Sequence, residues 1–250
     1  MEYGKGKIEW IEFDLLEPYP HVVHGVFLRH GGTSEGRFST LNVGEQAGDH
    51  PDSVKVNREA VRKAINVPKI LYAHQTHGAN VHRVTSKNGD KVSPADALFT
   101  TEKNVGLAVT HADCQATVFY DPVHEAVAVA HAGWKGSAQN IYARVVEAMQ
   151  RDIGTQPHNL IACISPSLGP DHAEYKNYKQ ELPEDFWSFQ VKPLYFDFWE
   201  ISKMQLTGCG ILEKNIEISG VCTHCNPKDY FSYRRDKDTG RHATVVALKS

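Results

Sequence analysis

The stretch VTHADCQATVFYDPVHEAVAVAHAGWKG, residues 109–136, holds two apolar runs joined by a turn. ATVFYD at 116–121 and AVAVAH at 126–131 are short, Val- and Ala-rich and of strand length. The DPVHE between them carries turn chemistry, so the spacing predicts a hairpin. Cys114 stands just before the first run and His131 closes the second. Ionisable side chains at the ends of core strands have a rim to share.

Outward from the hairpin the chain alternates in kind. Strands are expected at 69–73, 79–85 and 105–112, then at 160–168, 216–222 and 243–248, with a short strand leading into the Gly-rich loop of residues 24–49. A helix is expected over 53–66, with Asp52 or Ser53 as N-cap and Pro68 as stop. Another runs from Ser137 to about 151 with Ala138, Ile141, Val145 and Met149 on one face, and residues 183–189 and 197–210 also read as helical. No internal repeat or long linker interrupts the pattern. The expectation is a single domain over 1–250 of the α+β (mixed α/β) class, with central mixed β-sheets covered by helices.

At 250 residues, 41% hydrophobic and 23% charged, the chain can bury a sizeable core. A net charge of −3 offers no basic field, so nucleic acid is not an expected partner. No apolar run approaches the length of a membrane span, so no membrane partner is expected. The opening twenty residues are punctuated by charge and lack an apolar signal core. Five scattered cysteines do not form a disulfide framework, and a reducing cytoplasm is the expected compartment. Oligomeric state is not legible.

Two observations point to chemistry. The apolar stripe of the 53–66 helix runs Val54, Val61, Ile65, and Arg58 completes it. A guanidinium cannot shed its charge, so it either pairs with a local acid or carbonyl or meets an anion in a site. The second observation is the rim. If strands 105–112 and 126–131 pair in one sheet, Cys114 and His131 meet, and His77 in the turn HQTHG can join them. One thiolate and two imidazoles suit zinc and leave a fourth position for water or substrate. Zinc would bring the pKa of a bound water to roughly 7. Without a metal, Cys114 is a core thiol, or a nucleophile with His131 as base and Asp113 or His77 orienting it.

The strings HQTHGANV (74–81), ADAL (95–98), HADCQATVFYD (111–121), HAGWKG (131–136), ISPSLGPDHAEY (164–175) and CTHCNPKDYFSYRRDKDTGRHA (222–243) occur in order. Together they resemble the YfiH-like family, also called laccase-domain or multicopper polyphenol oxidase-like, whose members are regarded as purine nucleoside phosphorylases. The resemblance covers residues 24–248 and implies a layered α/β fold. It also implies a zinc-type site of His77, Cys114 and His131, which are then both the metal ligands and the catalytic residues. Two departures stand out: Ala116 where the family often has proline, and Lys135 where it usually has arginine. Lysine keeps the charge there but loses the bidentate fork.

The resemblance implies purine nucleosides and phosphate as partners. Adenosine and inosine are the main candidates, with guanosine and methylthioadenosine beside them. Relatives also deaminate adenosine, which metal-activated water explains. Phosphate needs a cationic seat, for which Arg58, Lys135 and Arg29 are candidates. Asn42 and Gln75 could hydrogen-bond a ribose or base, and Tyr233 or Arg234 could line the pocket. Copper-dependent polyphenol oxidase (laccase) chemistry is the competing reading, since two histidines and a cysteine also fit copper. A blue site normally adds an axial methionine, and the chain has only Met1, Met149 and Met204. It also lacks any His-x-His pair. A metal-free Cys-His hydrolase is the third reading. In CTHC, Cys222 and Cys225 with His224 between them are a weak metal signal taken alone.

Overall fold

In a computed structural model, which describes residues 7–87 and 93–250, the 109–136 stretch forms the predicted hairpin and the fold is built around it. The strands, in chain order, are β1 (Trp10–Ile11), β2 (Val22–Phe27), β3 (Lys69–Tyr72), β4 (Val81–Arg83) and β5 (Ala97–Thr100), then β6 (Val105–His111), β7 (Gln115–Asp121) and β8 (Ala126–Ala132), and finally β9 (Ile161–Ile164), β10 (Gln190–Lys192), β11 (Tyr195–Phe196), β12 (Ile216–Ile218) and β13 (His242–Leu248). The helices are α1 (Pro51–Ile65), α2 (Trp134–Ala138), α3 (Ile141–Ile153), α4 (Tyr178–Glu181), α5 (Phe198–Gly208) and α6 (Tyr233–Asp236). The predicted strand 79–85 is represented by β4; residues 88–92 lie outside the described residues.

Two mixed sheets form the body. One has the order β1-β2-β13-β6-β3 and the other β12-β9-β7-β8-β5-β4. Parallel pairs (β3 with β6, β4 with β5, β9 with β12) sit among antiparallel ones. The sheets pack face to face. Leu107, Val109, Val246 and Val26 from the first meet Val118, Tyr120, Val127 and Val129 from the second in one buried cluster. Alternate residues of the same strands point outward under helices. Phe119, Ala128 and Ala130 pack with Ile141, Tyr142 and Val145 of α3, and Ala108 and Val245 pack with Val61 and Ile65 of α1. The result is helix, sheet, sheet, helix, the mixed α/β architecture expected. Burial on both faces explains why β8 reads as a nearly continuous apolar run rather than an alternating one.

One expectation about pairing is corrected. Strands 105–112 and 126–131 do not pair: β6 belongs to the five-stranded sheet and β8 to the six-stranded sheet. After β6 the chain crosses between sheets through residues 112–114 and enters β7, which pairs antiparallel with β8. A strand buried on both faces gives no sequence cue to which sheet it joins.

Two helix ends also differ. α1 begins at Pro51 with His50 as N-cap, its imidazole accepting the Asp52 N–H at 3.3 Å. Proline at the first helical position costs no hydrogen bond there. The expected helix from Ser137 is split. α2 ends at Ala138, and Asn140 takes a left-handed φ of 53° and caps α3 by accepting the Ala143 N–H at 3.1 Å. Among the described residues no helix is long and apolar enough to cross a membrane.

Candidate metal centre and adjoining cavities

Cys114, His77 and His131 arrive from three different segments. Cys114 ends the crossover from β6 to β7, where Asp113 holds a left-handed φ of 86°. That conformation is unfavourable for a non-glycine residue, and partners on both sides hold it. The Thr223 hydroxyl donates to the Asp113 carboxylate at 2.7 Å, the Arg234 N–H donates to it at 2.5 Å, and the Leu168 N–H donates to its carbonyl at 2.9 Å. His131 lies near the end of β8, paired in register with Ala116, so the hairpin sets it beside the start of β7. His77 follows β3 in the other sheet, in a turn with φ 58°.

Asp96, buried at the edge of β5, organises two of these three. Its carboxylate accepts the N–H groups of Thr76 (3.1 Å), His77 (2.9 Å) and Gly78 (2.8 Å) and the Thr76 hydroxyl (3.0 Å). It also accepts His131 Nδ1–H at 2.9 Å. With Nδ1 so committed, Nε2 is the nitrogen that can give up its proton and ligate. Burial pushes the Asp96 carboxyl up, but the His131 contact and the N–H donors outweigh it and hold it at about 2.

The donor atoms of His77, Cys114 and His131 all lie within 4.8 Å of one another. The two imidazole rings meet edge to face with centroids 4.8 Å apart. Burial opposes ionisation of the Cys114 thiol, yet His131 and His77 bring its pKa down to about 6. Burial likewise disfavours charge on His131, but the Cys114 thiolate and Asp96 raise it to about 9. The thiolate and the His131 imidazolium thus stabilise each other, and a cation taking the place of that proton would meet the same three donors. Gly133 keeps that position clear, because a Cβ there would stand 3.3 Å from Cys114 Sγ and from His77 Cδ2. The donor chemistry, the Asp96 carboxylate behind His131 and the open space all fit a zinc-type ion. Gly133→Ala is expected to weaken zinc binding roughly tenfold, because both ligands must shift to admit the methyl; competition with a chromophoric chelator measures it.

Two cavities meet at this centre. One of about 420 Å³ is walled by Trp134, Leu168, Tyr175 and Phe198, with Arg234 and Lys176 at its polar side. The other, about 680 Å³, is lined by Arg58, Arg241, His74 and Gln75. Cys114 and Tyr233 border both.

The sequence-predicted residues divide accordingly. Arg58 satisfies both readings at once: it donates to the Val43 carbonyl at 2.9 Å, pairs with Glu45 and lies 4.0 Å over the Tyr72 ring, while facing the larger cavity. Gln75 reaches that cavity but is tied to the Thr110 backbone through both ends of its amide. Arg29, Asn42 and Lys135 line neither cavity. Arg29 is spent on the carbonyls of Ser39 and Pro227. Asn42 is fully buried and braces the Gly-rich loop through Asp49, Gly44 and Arg241. Lys135 is exposed and lies over the Trp134 ring. Met149 is buried between α3 and the six-stranded sheet and Met204 packs with Phe198, so neither offers an axial ligand; Met1 lies outside the described residues.

Asp96 lies in ADAL, and the sequence alone assigns it no role in the site. A lone acid entering an otherwise apolar strand was the available signal. Tyr175, Phe198 and Arg241 were likewise given no site role.

Residues 23–249 match the family model described as multi-copper polyphenol oxidoreductase laccase. The chain is 31% identical over 247 residues to "Purine nucleoside phosphorylase YlmD" of Bacillus subtilis, covering 91% of this chain and 89% of that one. It is 31% identical over 231 residues to "Purine nucleoside phosphorylase YfiH" of Escherichia coli, covering 88% and 91%. The crystal structure of YlmD from Geobacillus stearothermophilus superposes with a TM-score of 0.88 at 29% identity, covering 100% and 99%. With nearly the whole chain matched in sequence and in fold, the protein belongs to the YfiH-like, laccase-domain family.

Proposed function

We propose that this protein is a purine nucleoside phosphorylase whose active site is the His77, Cys114, His131 centre between the two cavities. One observation carries the reading: three donors able to hold a cation stand where an aromatic cavity meets a cationic one. An aromatic wall suits a purine face, and guanidinium groups suit phosphate. The similarly named relatives support the same substrate class.

Adenosine or inosine enters with its base among Tyr175, Phe198 and Trp134. Arg58 and Arg241 hold phosphate in the larger cavity. A phosphate oxygen attacks the anomeric carbon as the bond to the base nitrogen breaks. The bond's electron pair leaves with the purine, which takes up a proton, and ribose 1-phosphate remains. His77, Cys114 and His131 would hold zinc, which supplies Lewis acidity at the reacting centre. Asp96 fixes the His131 imidazole directly and the turn that carries His77 through its backbone N–H, so that the ligands are held in place during the reaction. Adenosine deamination, with water replacing the amine, belongs to the same site as a side activity.

Incubation with inosine and phosphate should release hypoxanthine and ribose 1-phosphate. A strong chelator should abolish the activity and zinc should restore it. Full activity in protein proven metal-free by elemental analysis would overturn the metal assignment. It would favour the second reading, a Cys114 nucleophile with His131, for which the lowered thiol pKa is the motivating observation. Arg58→Ala is expected to raise the KM for phosphate roughly 10- to 100-fold with the nucleoside KM little changed, the value of a charge-assisted hydrogen bond. Initial rates at varied phosphate measure it.

A further inference from the structure

A second set of donors gathers away from the centre described above, where two loops meet. One loop follows β9 and carries His172; the other follows β12 and carries Cys222, His224 and Cys225. Backbone bonds stitch the loops together: Ser167 N–H to Val221 O at 3.1 Å and Thr223 N–H to Ser167 O at 2.9 Å. The His172 and His224 rings stack with centroids 3.8 Å apart. Donor atoms of His172, His224 and Cys225 lie within 4.8 Å of one another. Cys222 Sγ accepts the Gly169 N–H at 3.2 Å and shares the C-x-x-C with Cys225.

We propose that His172, Cys222, His224 and Cys225 form a second metal site, holding a zinc-type divalent ion in closed tetrahedral coordination. Two thiolates and two imidazoles are a donor set of structural zinc, and C-x-x-C supplies the paired sulfurs. C-x-x-C alone is weak evidence, but the fold adds the missing half from fifty residues upstream. Tetrahedral zinc brings its donors to about 3.3 to 3.8 Å of one another, so the three gathered donors must tighten, the stacked rings turn outward and Cys222 Sγ close in from the same C-x-x-C. The N–H on Cys222 Sγ is the kind of outer contact that orients a ligating sulfur. Two thiolates offset the positive charge of Arg234 and Arg235 nearby.

The ion would act as a clip on the wall of the smaller cavity. The His172 carbonyl accepts Arg234 Nη1–H at 2.7 Å, and Ala173 and Glu174 line the cavity. Thr223, between the cysteines, holds Asp113 and through it the crossover that presents Cys114. Arg235 Nη1–H donates to the carbonyls of Thr223 and His224, both at 3.0 Å.

The test is metal stoichiometry on untagged full-length protein purified under reducing conditions and equilibrated with zinc(II). Wild type should hold two ions per chain, and Cys225→Ser and His172→Ala one each. Cys114→Ala should also keep one ion, which separates this site from the first. With cobalt(II), Cys222→Ser/Cys225→Ser should lose about two-thirds of the thiolate charge-transfer absorbance, since two of three ligating thiolates are gone. Equal zinc content in wild type and Cys225→Ser would overturn the proposal. Recovery of Cys222 and Cys225 as a disulfide from protein never exposed to oxidant would do so as well.

Discussion

Cys114→Ala is expected to eliminate phosphorolysis, lowering kcat/KM by at least about 10³-fold, while the protein stays folded. Several kcal/mol of transition-state stabilisation are attributed to a metal Lewis acid, and each 1.4 kcal/mol is roughly tenfold in rate. Losing the thiolate leaves two imidazoles, too few to hold zinc against competing water. The fold should tolerate the change, because Cys114 is partly exposed and its crossover is pinned by Asp113 rather than by its own sulfur. A second consequence has a definite sign. The thiolate is the largest influence raising the His131 pKa to about 9 in the ion-free protein. Without it, burial counts for more and the imidazole should titrate lower, with Asp96 its remaining anionic partner. Inosine assays, circular dichroism and an NMR titration of the ion-free histidines read the three effects separately. Normal turnover of inosine by Cys114→Ala would end the metal account.

The centre was legible in the sequence for a reason that differs from the geometry that builds it. Apolar runs ending beside Cys114 and His131, and the HQTHG turn that carries His77, mark the three residues, and they do converge. The pairing assumed for Cys114 and His131 was wrong, because β6 and β8 lie in different sheets and the β7–β8 hairpin does the joining. Periodicity marks a strand as buried; it carries no record of its partner. The break in the second helix was a local matter, and Asn140 as an N-cap could have announced it. Arg58 shows another limit: its place on an apolar stripe predicted a partner, but Glu45, Val43 and the Tyr72 ring come from segments whose proximity only the fold supplies. Asn42 and Arg29 were polar residues near a Gly-rich loop, and the loop itself consumes them. A loop with many backbone donors and acceptors needs internal partners as much as a ligand does.

Asp96→Asn is the sharper test of how the centre is held. The substitution keeps shape and volume but replaces one acceptor oxygen with an amide that only donates. One carboxylate oxygen serves three donors, Thr76 N–H, Thr76 O–H and Gly78 N–H. The other serves His77 N–H and His131 Nδ1–H. The single remaining oxygen is best placed on the side with three donors, which turns the amide toward His131. The imidazole must then accept at Nδ1 and carry its proton on Nε2, which removes the lone pair that faces the ion. The amide also confronts the His77 N–H and loosens the second ligand. Both effects act on ligation, so zinc affinity is expected to fall 10- to 100-fold. Activity at limiting zinc should fall with it and recover partly at high zinc. Folding should lose about 1–3 kcal/mol, the cost of leaving buried donors unpaired. Chelator competition gives the affinity, and ¹⁵N shifts of His131 in the ion-free protein, recorded well above pH 9 where the ring is neutral, report the tautomer. An unchanged tautomer together with unchanged affinity would show that Asp96 braces the turn at 76–78 without controlling the metal.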